Sequence, residues 1–454
     1  MYQDQFASFP VGKQANDAVA PLRVGMLGLG TVGSGTCRVL QRNADLIAAR
    51  TGRRIELTRV AVRNLSRAAS IVGPEVALTD DPFAVVNHPD MDVVVEVMGG
   101  TTLARELVLQ AIANGKHVVT ANKALLAEHG NEIFARARAQ GVVVAYEGAV
   151  AVSIPIIKAL REGLAANQIE WVAGIINGTT NFILSEMKTK GLSFAAALAE
   201  AQALGYAEAD PAFDVEGADA AHKLTLLAAN AFGVPLQFDQ VHVEGITALD
   251  AVDIAFAERL GYRIKLLGLA HRTAHGLALR VHPTLIAADH LLAQINGSMN
   301  AVMVKSDAAG ITMYYGAGAG SEQTASAVIA DLVDVCRACG ASPRHRVPYL
   351  GFQPQAMTAL PVLAMDEVQS AYYLRMDVTS PSRTLPTLFE HFAQAGVRVR
   401  QVEVFDHPDD PALNAVIALT EPARDDIVRE VVHALAQLPH VMGFVTTLRV
   451  AALS

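Results

Sequence analysis

Residues 22–33 read LRVGMLGLGTVG: a short apolar run closes on glycines spaced G-x-G-x-x-G, and a helical pattern, SGTCRVL, follows. A glycine triplet alone says little, but set between a first strand and a helix each glycine has its own task. Gly28 permits the tight turn, Gly30 lets the backbone approach a pyrophosphate, and Gly33 lets the helix pack close to the strand. The helix N-terminus, with Thr31 and Val32 inside the motif, then faces the phosphates. The chain therefore opens on a dinucleotide site. The second strand, ELTRVAVRN, ends at Arg63 and Asn64, where an NAD-preferring site offers Asp or Glu to the ribose. Without that acid, Arg63, with Arg67, meets a 2′-phosphate, which favours NADP(H) over NAD(H). MDVVVEVMGG, KHVVTANK and VVVAYEG continue the alternation of strand and helix over residues 22–150. This predicts an open parallel sheet with ligand contacts at the C-terminal strand ends, near Gly99, Gly100, Thr120 and Lys123.

A chain of 454 residues has room for two or three domains. Its net charge of −9 gives no electrostatic footprint for nucleic acid or an anionic membrane. No apolar run is long enough to cross a bilayer, and the first twenty residues lack the basic start and apolar centre of a signal peptide. A cytoplasmic protein with a flexible tail over residues 1–20 is expected. Cys37, Cys336 and Cys339 cannot frame disulfides; the CRAC pair lies in a helical pattern and reads as two small helix residues.

The stretch GYAEADPAFDVEGADAAHK, Gly205 to Lys223, holds five carboxylates within the twelve residues Glu208–Asp219. Pro and Gly punctuation suits a solvated loop. Tyr206 and Phe213 interleave the acids, and an apolar helical pattern follows, with Asp219 and Lys223 four apart on one helix face. That pair is either a surface support or an acid and a base aimed into a pocket.

GLGTVG, GKHVVTANKALLA, INGTTNFIL, the acidic stretch, and YGAGAG with TASAV occur in an order that resembles the homoserine dehydrogenase family over residues 22–345. The most specific part is A-x-x-x-G-Y-A-x-x-D-P-x-x-D-V-x-G-x-D-x-x-x-K, met from Ala201 to Lys223. The resemblance implies reversible reduction of L-aspartate 4-semialdehyde to L-homoserine in threonine, methionine and isoleucine biosynthesis. It makes Lys223 the proton donor, Lys123 its partner on the cofactor side, and Asp219 the group that orients Lys223 or a bound water. Glu208, Asp214 and Asp219, with Tyr206 and the NGTT residues Gly178 and Thr179, fall to the substrate. Gly205 and Gly320 fall to the cofactor, Gly320 ahead of a helix that returns to complete the nucleotide domain. The family's glycine-rich turn, whose carbonyls hold a monovalent cation, is EGAVAVSIP here. Val152 and Ser153 stand at the glycine places, and the carbonyls of Glu147, Val150, Val152 and Ile154 are the implied sodium ligands. A homodimer or homotetramer is implied. Two rivals share the scaffold: an NADPH-dependent reductase of another amino-acid-like carbonyl, and a silent sensor of dinucleotide or amino acid.

After Gly351 come the patterns SAYYLRMDV, TLPTLFEHFAQAG, VRVRQVEVF, ALNAVIALT, ARDDIVREVVHALAQL and MGFVTTLRV. This β-α-β-β-α-β order is ferredoxin-like and is similar to ACT domains, which implies an amino-acid effector such as threonine. Thr384, however, stands where effector-binding ACT domains carry glycine, and a purely assembling role is the alternative. The expected fold is α/β. It comprises a Rossmann-type domain over 21–154 completed by a helix around 321–345, and an α+β substrate and dimerisation domain over 155–320. A linker over 346–366 leads to a C-terminal ferredoxin-like ACT domain over 367–454.

Overall fold

The computed structural model describes residues 20–408 and 410–453; the expected tail, apart from Ala20, lies outside the described residues. Six parallel strands form the first sheet: β1 (Leu22–Leu27), β2 (Ile55–Ala61), β3 (Ala77–Thr79), β4 (Val93–Glu96), β5 (His117–Thr120) and β6 (Val144–Ala145). Their order, β3-β2-β1-β4-β5-β6, reverses direction between β1 and β4 and opens a crevice at the strand ends there. All four residues of β4 are buried, as a strand covered on both faces requires. The glycine pattern explains the close packing around β1. A Cβ on Gly33 would stand 2.4 Å from the Gly28 carbonyl oxygen, and one on Gly35 would stand 2.5 Å from that of Ser321.

Ser321 opens the returning helix Ser321–Ala338. Its hydroxyl donates to Thr31 O at 2.6 Å, so a helix almost 300 positions away in sequence seals the nucleotide unit. Cys336 lies on this helix, with Arg53 Nε donating to its sulfur at 3.1 Å, and Cys339 is its C-cap.

The second sheet is built from β7 (Ile169–Ile175), β8 (His242–Val243), β9 (Tyr262–Arg272), β10 (Leu277–Ala287), β11 (Met299–Ser306) and β12 (Gly310–Ala317). It continues into β13 (Gln369–Val378), β14 (Val399–Asp406), β15 (Asn414–Thr420), β16 (Ala423–Arg424) and β17 (Val441–Val450). The path is β12-β11-β7-β9-β10-β17-β13-β15-β14. Within it, β17-β13-β15-β14 is the ferredoxin-like order, and helices Pro381–Gln394 and Asp425–Ala436 cover one face through Leu388, Phe392, Val428 and Leu435. Thr384 is buried on the first of these helices, its hydroxyl donating to Ser380 O at 2.9 Å.

The two halves of this sheet are joined by β10 and β17, which pair in parallel at Thr284↔Arg449 and Leu285↔Val450. Buried charges reinforce the seam. Arg375 Nε lies 2.6 Å from Asp253 Oδ1, and Arg449 bridges Asp425 at 2.7 Å and Glu244 at 2.8 Å. Among the described residues no helix is long and apolar enough to cross a membrane.

Candidate active site

The acidic stretch folds into a short helix, Ala212–Val215, and then a long one, Ala218–Phe232, entered through Gly217 at φ +90°. That conformation suits glycine, and a Cβ there would also meet Val243 at 3.0 Å. The long helix is buried along nearly its whole length, which explains why its polar residues need partners. Asp219 and Lys223, one turn apart, are in contact: Lys223 Nζ lies 2.6 Å from Asp219 Oδ2 and donates to Ile176 O at 2.7 Å.

The second lysine arrives from the first sheet. Lys123 opens the helix that follows β5, and its Nζ lies 3.2 Å from Asp219 Oδ1. Asp219 thus bridges two ammonium groups. The Lys223 side chain is 8% exposed and that of Lys123 31%, so Lys123 is the one facing open space. Burial pushes the Lys223 pKa below the usual lysine value; Asp219 opposes the shift and the charge of Lys123 adds to it. Burial also works against the Asp219 carboxylate, but Lys223 and Lys123 outweigh it and hold its pKa down to about 2. A buried ammonium whose pKa is lowered by burial and by a second cation is suited to delivering or accepting a proton.

Asn177, the N-cap of helix Gly178–Lys190, fixes the acids. Its amide donates to Asp214 Oδ1 at 2.7 Å and Asp219 Oδ2 at 2.8 Å, while its own Oδ1 accepts from Thr180 N at 2.8 Å. Burial, and then the neighbouring Asp219, raise the Asp214 pKa. The NGTT segment spends much of its polarity internally. Thr179 donates to Tyr206 O at 2.9 Å, and a Cβ on Gly178 would meet Ser298 O at 2.6 Å. Tyr206 is exposed at the lip with its ring 4.7 Å from Phe182. Glu208 is exposed and its carboxylate has no partner among the described residues, whereas Asp214 is tied to Asn177. Gly205 forms a left-handed turn at φ +77° before them. The sequence points to Asn177–Thr180 for backbone N–H groups and hydroxyls, but not to the Asn177 side chain or the Ile176 carbonyl that hold Asp214, Asp219 and Lys223; Asn immediately ahead of a helical run is the N-cap signal that marks the former.

At the crevice between β1 and β4 lies a cleft of about 600 Å³ lined by Gly28, Gly30, Arg63, Asn64, Arg67 and Met98, among others. A Cβ on Gly28 would crowd Met98 Cα at 3.0 Å, whereas one on Gly30 would project into open space. The cleft therefore fits a dinucleotide: a closed turn, a bare backbone for phosphates, and two guanidinium groups near the ribose position. Glu96 organises the next strand end, accepting from Met98 N at 2.9 Å, Gly99 N at 3.1 Å and Thr120 Oγ1 at 2.7 Å. Thr120 is accordingly buried and committed to Glu96. Asn122 links this turn to the lysine, donating to Gly100 O at 2.7 Å and capping the Lys123 helix through Leu125 N at 3.1 Å. Thr31 and Val32 open the motif helix, and Gly320, at φ +140°, is the N-cap of the helix packed against it.

In the EGAVAVSIP turn, Ala151 and Val152 take left-handed φ values of +52° and +47°, so the turn keeps a glycine-like backbone without glycine. The carbonyls of Val150 and Val152 accept no hydrogen bond among the described residues, while those of Glu147 and Ile154 accept from Val150 N at 3.4 Å and Ile156 N at 2.7 Å.

Comparison with known proteins bears on this geometry. The family profile described as homoserine dehydrogenase matches residues 155–333, and the one described as homoserine dehydrogenase, NAD binding domain, matches residues 28–147. The homoserine dehydrogenase of Pseudomonas aeruginosa is 54% identical over 434 residues, covering 96% of this chain and 100% of its own. That of Neisseria gonorrhoeae is 50% identical over 433 residues, with 95% and 99% covered. The crystal structure of a homoserine dehydrogenase from Thiobacillus denitrificans superposes with a TM-score of 0.91 at 54% identity, covering 96% of this chain and 99% of that one.

Proposed function

Since the chain belongs to the homoserine dehydrogenase family, oxidoreductases that act on a CH–OH group with a nicotinamide dinucleotide, we propose that Lys223, Lys123 and Asp219 form its proton-transfer centre. When bound, the cofactor supplies the hydride to L-aspartate 4-semialdehyde or takes it from L-homoserine. The chain's residues handle the charge that this movement creates. As the aldehyde oxygen turns anionic, Lys223 Nζ gives it a proton, and in the reverse direction the neutral amine accepts one. Lys123, the more open of the two lysines, stabilises the oxyanion. Asp219 keeps both ammonium groups converged, and Glu208 and Asp214 receive the substrate's α-ammonium, with Tyr206, Gly178 and Thr179 at the lip. The observation that carries this reading is the Asp219 bridge between lysines from two different helices, one following β5 and the other Ala218–Phe232.

The cofactor contacts run through Gly28, Gly30, Thr31, Val32, Gly33, Gly99 and Lys123, with Thr120, Gly205 and Gly320 supporting them, and Arg63 selects NADP(H). The carbonyls of Glu147, Val150, Val152 and Ile154 hold a sodium ion; the two unclaimed carbonyls of the left-handed turn support this. The chain divides into 21–154 with the returning helix, 155–320, and 367–454 after the 346–366 connection. It assembles as a homodimer or homotetramer. The C-terminal unit serves as an ACT module, for a threonine effector or for assembly.

The test is the initial rate of L-homoserine oxidation with NADP⁺ and with NAD⁺ for the parent and Lys223→Ala. Loss of most of kcat with unchanged NADP⁺ binding is expected; a variant that keeps its kcat removes Lys223 from the mechanism.

A further inference from the structure

A second cavity, of about 740 Å³, lies between β6, the end of the helix Ser321–Ala338 and the connection over 341–357, and neither Lys123 nor Lys223 lines it. It is larger than the dinucleotide cleft of about 600 Å³. Its floor is aromatic and aliphatic, with Phe134, Tyr349 and Phe352. Its charge is one-sided: Arg138, Arg161, Arg337, Arg344 and Arg346 line it against only Glu162 and Asp334, in a chain of net charge −9. Asp334 is already engaged, 2.6 Å from Lys158 and 3.7 Å from Arg337. Arg138 and Arg344 are exposed, and their side chains make no hydrogen bond or ion pair among the described residues. The Nε atoms of Arg161 and Arg346 are buried without a hydrogen-bond acceptor.

We propose that this cavity binds a small organic anion, a carboxylate or a phosphate ester on an apolar or aromatic body, at a site separate from the dinucleotide and substrate sites. Guanidinium forks pair with those two head groups through parallel hydrogen bonds. An apolar wall with a few convergent polar donors at this volume has the character of a small-molecule pocket. Two buried donors that lack acceptors give such a ligand something to satisfy. The cavity is also wired to the catalytic helix. Tyr146 Oη donates to Tyr349 O at 2.6 Å and lies 3.2 Å from Asn230 Oδ1, on the helix that bears Lys223. A Cβ on Gly233, the C-cap of that helix, would strike the Phe352 ring at 2.8 Å.

The probe is 1-anilinonaphthalene-8-sulfonate, an aromatic anion, titrated by fluorescence into the full chain saturated with NADP⁺. Saturable one-to-one binding is expected, weakened at least tenfold in the Arg138→Glu/Arg344→Glu variant, with NADP⁺ affinity unchanged. Displacement by benzoate assigns a carboxylate ligand and displacement by inorganic phosphate a phosphate ester; displacement by neither overturns the proposal, as does binding that survives the double variant. Should that variant fail to fold, amide exchange of the parent decides: the dye must slow exchange within 341–357, and unchanged exchange there also overturns it.

Discussion

Asp219 and Lys223 touch at 2.6 Å across one turn of a helix that is almost wholly buried, and this contact opposes the lowering of the Lys223 pKa by burial. Asp219 raises the Lys223 pKa and Lys123 lowers it, both on top of the lowering by burial. In the proposed mechanism L-homoserine oxidation needs the neutral amine, so its rate is expected to rise with pH through the Lys223 pKa. Asp219→Asn removes the anion that favours the ammonium and should move that limb to lower pH. Lys123→Ala removes the opposing cation and should move it to higher pH. Steady-state pH profiles of kcat for the two variants check this; shifts of the same sign refute the arrangement. Lys123→Ala should also lose kcat, by roughly 10²–10³ for the removal of a group that stabilises the oxyanion.

The proposed preference for NADP(H) rests on Arg63 and Arg67, which line the dinucleotide cleft. Arg63→Asp should reverse the ribose chemistry, repelling a 2′-phosphate and accepting from a 2′-hydroxyl. The NADP⁺ to NAD⁺ ratio of kcat/KM should fall at least about tenfold, equivalent to about 1.4 kcal/mol of differential binding. An unchanged ratio would show that Arg63 is only a surface charge.

Asp219, Lys123 and the glycine motif were readable because each has a sequence signal that does not depend on distant packing: a strand–glycine–helix transition, a strand end, an i,i+4 pair. Asn177 was harder, since its value lies in reaching Asp214 and Asp219, 37 and 42 positions away. Thr120 is expected near the cofactor from its place at a strand end; that its hydroxyl donates to Glu96 is not legible, because a four-residue buried strand reveals nothing about which neighbour its terminal acid will claim. The C-terminal β-α-β-β-α-β pattern was legible from turn spacing, but its pairing with β10 was not. Parallel contact between strands more than 160 positions apart leaves no local trace.

Arg449 extends that seam toward the active site. It holds Glu244 at 2.8 Å and Asp425 at 2.7 Å, and two residues beyond Glu244 the Ile246 N–H donates to Val215 O at 2.8 Å, next to Asp214. Arg449→Met removes two charged hydrogen bonds but leaves Asp425 with Tyr372 Oη at 2.9 Å and Arg429 Nε at 3.3 Å, and should destabilise the protein by about 1.5–3 kcal/mol. Denaturant unfolding measures the loss, and KM for L-homoserine should rise more than KM for the cofactor. A KM effect confined to the cofactor would break the proposed link.

Val152 is β-branched yet sits at φ +47°, a conformation costing an ordinary L-residue roughly 1–2 kcal/mol. Val152→Gly relieves that strain, while the looser unfolded chain takes back about 0.5–1 kcal/mol. A net gain of about 0.5–1 kcal/mol in unfolding free energy is expected, read from chemical denaturation. A net loss would mean that the Val152 side chain contributes packing the turn cannot spare.

The parallel pairing of β10 with β17 has a consequence for anyone recombining such chains. A C-terminal module that merely hung from a flexible tether could be trimmed or exchanged for a foreign one at will. Here its last strand finishes the hydrogen-bonding edge of the sheet that packs beneath helix Ala218–Phe232. Cutting it away would leave Thr284 and Leu285 as an open adhesive border, and a graft would succeed only if its terminal strand arrived in the same register. The final strand is thus a keystone, laid last and inseparable from the arch it closes.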